Sequence, residues 1–117
     1  MNTVNEAEVQ KVQVHIDQVK EAIEVADKLK VLNKIPEFEE LIIKGFMEDE
    51  PARIAAICTD PEMQSEMDQG ALWGMIKAVG YLGDYLRNIE RRGVQLKATL
   101  EKAEEYQAEL RNPTKED

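Results

Sequence analysis

Four groups of residues have the types and spacing to do chemistry. The first is basic: Arg87, Arg91, Arg92 and Lys97, with Arg87 and Arg91 four apart on one helical face. Such a group can hold an anion or meet an acidic surface. It equally suits a solvated face paired to Asp84 and Glu90, each pair worth a few tenths of a kcal/mol. The second is acidic: Glu37, Glu39 and Glu40, then Glu48, Asp49 and Glu50. A calcium loop wants alternating acids, a glycine at the turn and a bidentate acid beyond, but Pro51 follows here. Helix capping accounts for most of these acids, and no metal is expected. The third is the set Gly70, Gly74, Gly80 and Gly83, with Ala78 extending a small-xxx-small line. Each glycine costs about 1 kcal/mol in a helix interior relative to alanine, so close approach of another helix is expected to compensate. A phosphate loop would need a preceding strand and a following Lys-Ser or Lys-Thr, and neither is present. The fourth is the set of lone residues His15, Ser65 and Cys58. A di-metal bundle needs Glu-x-x-His pairs, and Val12 and Lys11 stand where the glutamate would be. With no nucleophile, base and metal set converging, an enzyme is not expected, nor any cofactor. Arg53 is the single base among the acids at 48–50 and Asp60, and suits a local ion-pair anchor.

These groups sit on helices. From Leu72 the three-four alternation runs Met75, Val79, Leu82, Leu86, Ile89, Gly93, Leu96, Leu100, Ala103, Gln107, Leu110. That is the seam of a helix that keeps one stripe against a partner. Val9, Val12, Ile16, Val19, Ile23 and Ala26 repeat the pattern near the start. The expected architecture is all-α and one domain over 1–117: an antiparallel helical hairpin or coiled coil with a cap of short helices. A first helix covers 5–32, about 40 Å long, capped by Asn5 after residues 1–4, which should fray. The short-helix cap covers 34–69, the long helix 70–111 and a polar tail 112–117.

Within the cap, Pro36, Pro51 and Pro61 each follow a break and open a helix, with Asp60 capping the third. Phe38, Leu41, Ile42 and Phe46 form one apolar face, and Gly45 weakens that helix's end. Gly70 marks either a kink or a join to the long helix. If the hairpin lies along Leu72 to about Arg92, then Leu96, Leu100, Ala103 and Leu110 lack an internal partner, and an exposed apolar seam is an interface. The expected partner is a second copy or a partner helix.

The chain has 24 acids and 15 bases, a net charge of −9. The acids divide evenly, twelve in residues 1–58 and twelve in 59–117. This balance argues against direct duplex DNA binding through a basic surface. One cysteine allows no internal disulfide and fits the cytoplasm. The start lacks the basic and apolar segments of a signal peptide. No run approaches the ~20 apolar residues of a membrane span.

One passage carries a resemblance: Ile35-Pro36-Glu37-Phe38-Glu39-Glu40-Leu41-Ile42-Ile43-Lys44-Gly45-Phe46, then Asp49-Glu50-Pro51-Ala52-Arg53-Ile54, Asp60-Pro61, and Ala78-Val79-Gly80-Tyr81-Leu82-Gly83-Asp84-Tyr85-Leu86. It resembles small helical proteins of tailed bacteriophages, often encoded beside head and neck components, over about residues 30–110. The resemblance implies a viral, non-enzymatic protein that works by assembly or binding; taken with the exposed seam, the expected function is that of a phage assembly or virion-associated protein acting through helix–helix self-association, in the host cytoplasm or the virion. It implies no site residues. The alternative is a small acidic phage inhibitor whose Glu37 to Glu50 carboxylates oppose a basic cleft of a host nucleic-acid enzyme.

Overall fold

The computed structural model describes residues 3–113; parts of the expected frayed start and polar tail lie outside them. Every regular element among the described residues is helical. α1 spans Thr3–Asn33, α2 spans Pro36–Phe38 and runs directly into a π-helix at Glu39–Asp49, and α3 spans Glu50–Cys58. A 3₁₀ turn at Pro61–Met63 precedes α4, Glu66–Arg111. α4 packs against α1 as a hairpin, as the two seams predict. The contacts group into two compact units: Met1–Lys28 with Ile89–Asp117, and Leu29–Asn88.

In the first unit, the core is the α1 stripe Ile16, Val19, Ile23 and Ala26, all buried. The pairing is antiparallel. Near one end Gln107 of α4 donates from Nε2 to the Val9 carbonyl and the Gln13 Oε1, at 3.2 and 3.0 Å. Further along, Gly93 faces Ala26, and Lys97 pairs with Asp27 at 3.5 Å. Gln107 is the buried polar residue at a seam position.

This register corrects the expected one. The chain does not leave the far end of the α4 seam uncovered: α1 reaches Gln107, and Leu96, Leu100, Ala103 and Leu110 are half-buried. The reason lies in the segment between the long helices. It folds with residues 66–88 of α4, so α1 takes the distal half.

In the second unit, Leu29, Ile54, Leu72 and Val79 are the buried apolar residues. α1 closes with Lys34 N–H on Val31 and Ile35 N–H on Leu32, and extended Ile35 lets Pro36 open α2 as expected. The expected break at 48–51 does not occur. The helix passes from the π-helix into α3, and the Glu50 N–H bonds the Gly45 carbonyl five residues back. Pro51 has no N–H to satisfy, and the wider π turn leaves space where an α-helix would press a proline ring on the carbonyl four residues before. Gly45 sits in mid-helix, not at its end; a Cβ there would meet the Glu40 carbonyl oxygen at 3.0 Å. The wide turn also re-aims the apolar face. Phe38, Ile42, Ile43, Phe46 and Met47 are half-buried, while Leu41 is exposed.

Asp60 caps the 3₁₀ turn, accepting from Glu62 N–H at 2.9 Å. α4 begins after Ser65, whose Oγ accepts from Asp68 N–H at 3.0 Å. The helix then passes through Gly70 without a break. Asn5, the expected first cap, lies inside α1.

Candidate interaction surface

Arg87 and the acidic group at 37–50 belong to the second unit, Arg91 and Arg92 to the first. Arg87, Arg91 and Arg92 are exposed on α4, and Arg87 pairs with Asp84 one turn before it. Glu37, Glu39, Glu40 and Glu48 are exposed. Asp49 pairs with Lys44 at 3.2 Å. Glu50 accepts a two-pronged bond from Arg53, Nε to Oε1 at 2.6 Å and Nη2 to Oε2 at 2.9 Å. That bond holds the Glu50 carboxyl below the usual glutamate range, and the carboxylate raises Arg53 in return. Arg53 is thus the local anchor its position suggested. Among the described residues, no cluster of His, Cys, Asp and Glu is placed to hold a metal ion. No helix among them is long and apolar enough to cross a membrane.

Three of the four glycines expected at close helix contacts have none, and Gly83 has one. A Cβ on Gly70, Gly74 or Gly80 would meet nothing within 4 Å, so no helix among the described residues packs closely there. The inward seam at this level uses Leu72, Ile76, Val79 and Leu82 and turns these three glycines away from it; Met75, expected in the seam, is exposed in favour of Ile76. Gly83 is buried, with Met47 Cε and the Arg87 guanidinium each about 3.2 Å from a Cβ position. The close backbone approach occurs at Gly93 against Ala26.

A polar knot that the sequence reading missed joins α3 to α4. Gln64 Nε2 donates to the Cys58 and Asp60 carbonyls at 2.9 and 2.7 Å. Gln69 Nε2 donates to the Cys58 and Met63 carbonyls at 3.1 and 2.8 Å. The signal for this start was present: Ser65-Glu66-Met67-Asp68 has the spacing of a capping sequence.

Two of the outward glycines, Gly70 and Gly74, belong to a continuous surface. Met67, Gly74 and Tyr81 recur every seven residues, about two turns, and Gly70, Ala71, Ala78 and Tyr85 lie on the same side of α4. All seven are exposed, Met67 at 83% and Tyr81 at 74%. None carries a charge in a chain that is 33% charged. On the flank, Lys77 Nζ sits 5.6 Å from the centre of the exposed Trp73 ring. Isolated apolar residues are ordinary on a surface; an uncharged stripe of about five turns with two tyrosines and a methionine has the composition found at contact faces. The first unit offers less: a shallow groove of about 470 Å³ lined by Val12, His15, Ala103 and Tyr106 with lysines on its rim.

Fold and surface together define an all-α, hairpin-like protein that presents a bare helix face. Comparisons with protein-family models, curated proteins and solved structures return no match.

Proposed function

We propose that this chain is a non-enzymatic assembly protein that works through helix–helix self-association, in the tailed-phage setting implied by the resemblance over about residues 30–110, in host cytoplasm or virion. The observation that carries the association reading is the exposed, uncharged stripe Met67 to Tyr85 on α4. Leu96, Leu100, Ala103 and Leu110 are half-buried in the hairpin, so the stripe replaces them as the association surface. The test is solution mass by light scattering at low and high salt. A discrete oligomer at both supports the reading, because an apolar contact does not depend on charge. A monomer at both overturns it.

The second reading is the acidic inhibitor of a host nucleic-acid enzyme. It draws on the exposed run Glu37, Glu39, Glu40 and Glu48. Asp49 and Glu50 weaken it, since both already have basic partners. Binding through such carboxylates would fall steeply with added salt, as charges are screened within ~8 Å at physiological ionic strength.

A further inference from the structure

Resting on the association reading, we propose that the occupant of the α4 stripe is a second copy of this chain, lying antiparallel, with the two-fold axis between Lys77 and Ala78. The argument is one of size order along the stripe. Its N-terminal half carries two glycines four residues apart, Gly70 and Gly74. Its C-terminal half carries two tyrosines four residues apart, Tyr81 and Tyr85. A two-fold contact must be complementary to itself. Reversing the stripe about the Lys77–Ala78 midpoint sets Tyr81 opposite Gly74 and Tyr85 opposite Gly70, twice each. Ala78 lies at the axis, where two backbones come closest. A parallel pair would set glycine on glycine and tyrosine on tyrosine, leaving a gap at one end and a collision at the other.

Charge agrees with this arrangement. Lys77, Trp73 and Asp84 share one flank of the stripe, and in an antiparallel pair each flank meets its own equivalent. Lys77 leans back over Trp73, toward the helix start. The reversal places Asp84 of the second copy at the level of Ala71, toward the end of the helix to which Lys77 leans, with its Oδ1 already on its own Arg87. Each Asp84 then brings its second carboxylate oxygen toward a lysine of the other copy, a rim contact that it shares with Arg87 and that adds little to the fit of the stripe. Tyrosine and tryptophan suit such a role because each offers a large rigid contact area with few torsions to immobilise. The chain's own packing does not need the two glycines, since open space lies beyond both. Their helix-weakening effect is thus left for a partner to offset.

The test uses the full chain with Cys58→Ala, into which single cysteines are placed and mildly oxidised. Ala78→Cys is expected to cross-link to itself. Met67→Cys is expected to fail with itself but to link when mixed with Asn88→Cys, which the reversal sets opposite. Gly74→Leu fills the groove without touching the chain's own core. It is expected to weaken dimerisation at least tenfold in sedimentation equilibrium with unchanged helicity by circular dichroism, and Tyr81→Ala should do the same. Self-linking of Met67→Cys, or a Gly74→Leu chain that dimerises normally, overturns the antiparallel pairing while leaving self-association standing. A wild-type chain that stays monomeric overturns both.

Discussion

A Cβ on Gly93 would stand 2.5 Å from the Cβ of Ala26, far inside contact distance. Here the two long helices come close enough that the seam admits no side chain on one of them. Gly80, thirteen residues earlier on the same helix, faces open space. The two glycines therefore predict opposite outcomes for one substitution. Gly80→Ala should stabilise the protein by about 1 kcal/mol through helix propensity alone. Gly93→Ala should destabilise it by about 1–3 kcal/mol, because either α1 or α4 must shift to admit the methyl group. Urea unfolding monitored by circular dichroism reads both. Equal signs would mean that the helices do not approach at Gly93.

Gln107 fixes the register of the first unit in a way a leucine could not. Its amide donates both to a main-chain carbonyl and to the Gln13 side chain, across 98 and 94 residues of sequence. Gln107→Ala removes both bonds and leaves Gln13 with an unanswered oxygen, at a cost of about 1–3 kcal/mol. Gln107→Leu restores the apolar stripe and should lose less stability than the alanine variant. A buried polar residue at a seam position can specify alignment at some expense in stability. Thermal unfolding of the two variants checks the order; an alanine variant as stable as the leucine one would show that the amide bonds contribute nothing.

The period of the apolar residues made both long helices legible, and α4 and α1 do form the hairpin their stripes predict. Offset was not legible. A seam of leucines accepts several alignments, and the alignment is set by Gly93 meeting Ala26 and by Gln107 meeting Val9, contacts that no local pattern encodes. The second unit was legible at its caps, Pro36 and Asp60, where the cause is local. It was misread at Pro51, because a break and a widened helical turn accommodate the same proline. The glycines were singled out for the right property, their small size. Which of them faces a neighbouring helix depends on rotation about α4, and a shift of the inward seam from Met75 to Ile76 turned Gly70, Gly74 and Gly80 outward. The candidate surface was therefore present in the sequence as residues but not as a face.

Ser65 marks where α4 begins, and its hydroxyl satisfies an N–H that helix geometry otherwise leaves open. Ser65→Ala should cost about 1 kcal/mol, while Ser65→Asp, which keeps an acceptor and adds a charge favourable at a helix start, should cost little or nothing. Amide hydrogen exchange localises the effect: the alanine variant should speed exchange at the first turn of α4, near Asp68, and leave residues beyond Gly93 unchanged. Equal exchange in the two variants would remove the cap from the account of this boundary.

The Glu50–Arg53 pair predicts a pH dependence whose sign follows from its geometry. The two-pronged bond from Arg53 depresses the Glu50 carboxyl in the folded chain. A depressed acid binds its proton more weakly folded than unfolded. Its contribution to stability is therefore complete above the unfolded value and is lost as pH falls through the folded one. Carbon-detected NMR titration should find the Glu50 midpoint rising toward the ordinary glutamate range in Arg53→Gln. The denaturation midpoints of wild type and variant should differ near neutral pH and converge in acid, where the carboxylate is protonated in both. The pair is exposed, so the difference should be small and should shrink further in high salt. A Glu50 midpoint that does not move when Arg53 is replaced would mean that the guanidinium does not hold the carboxylate in solution.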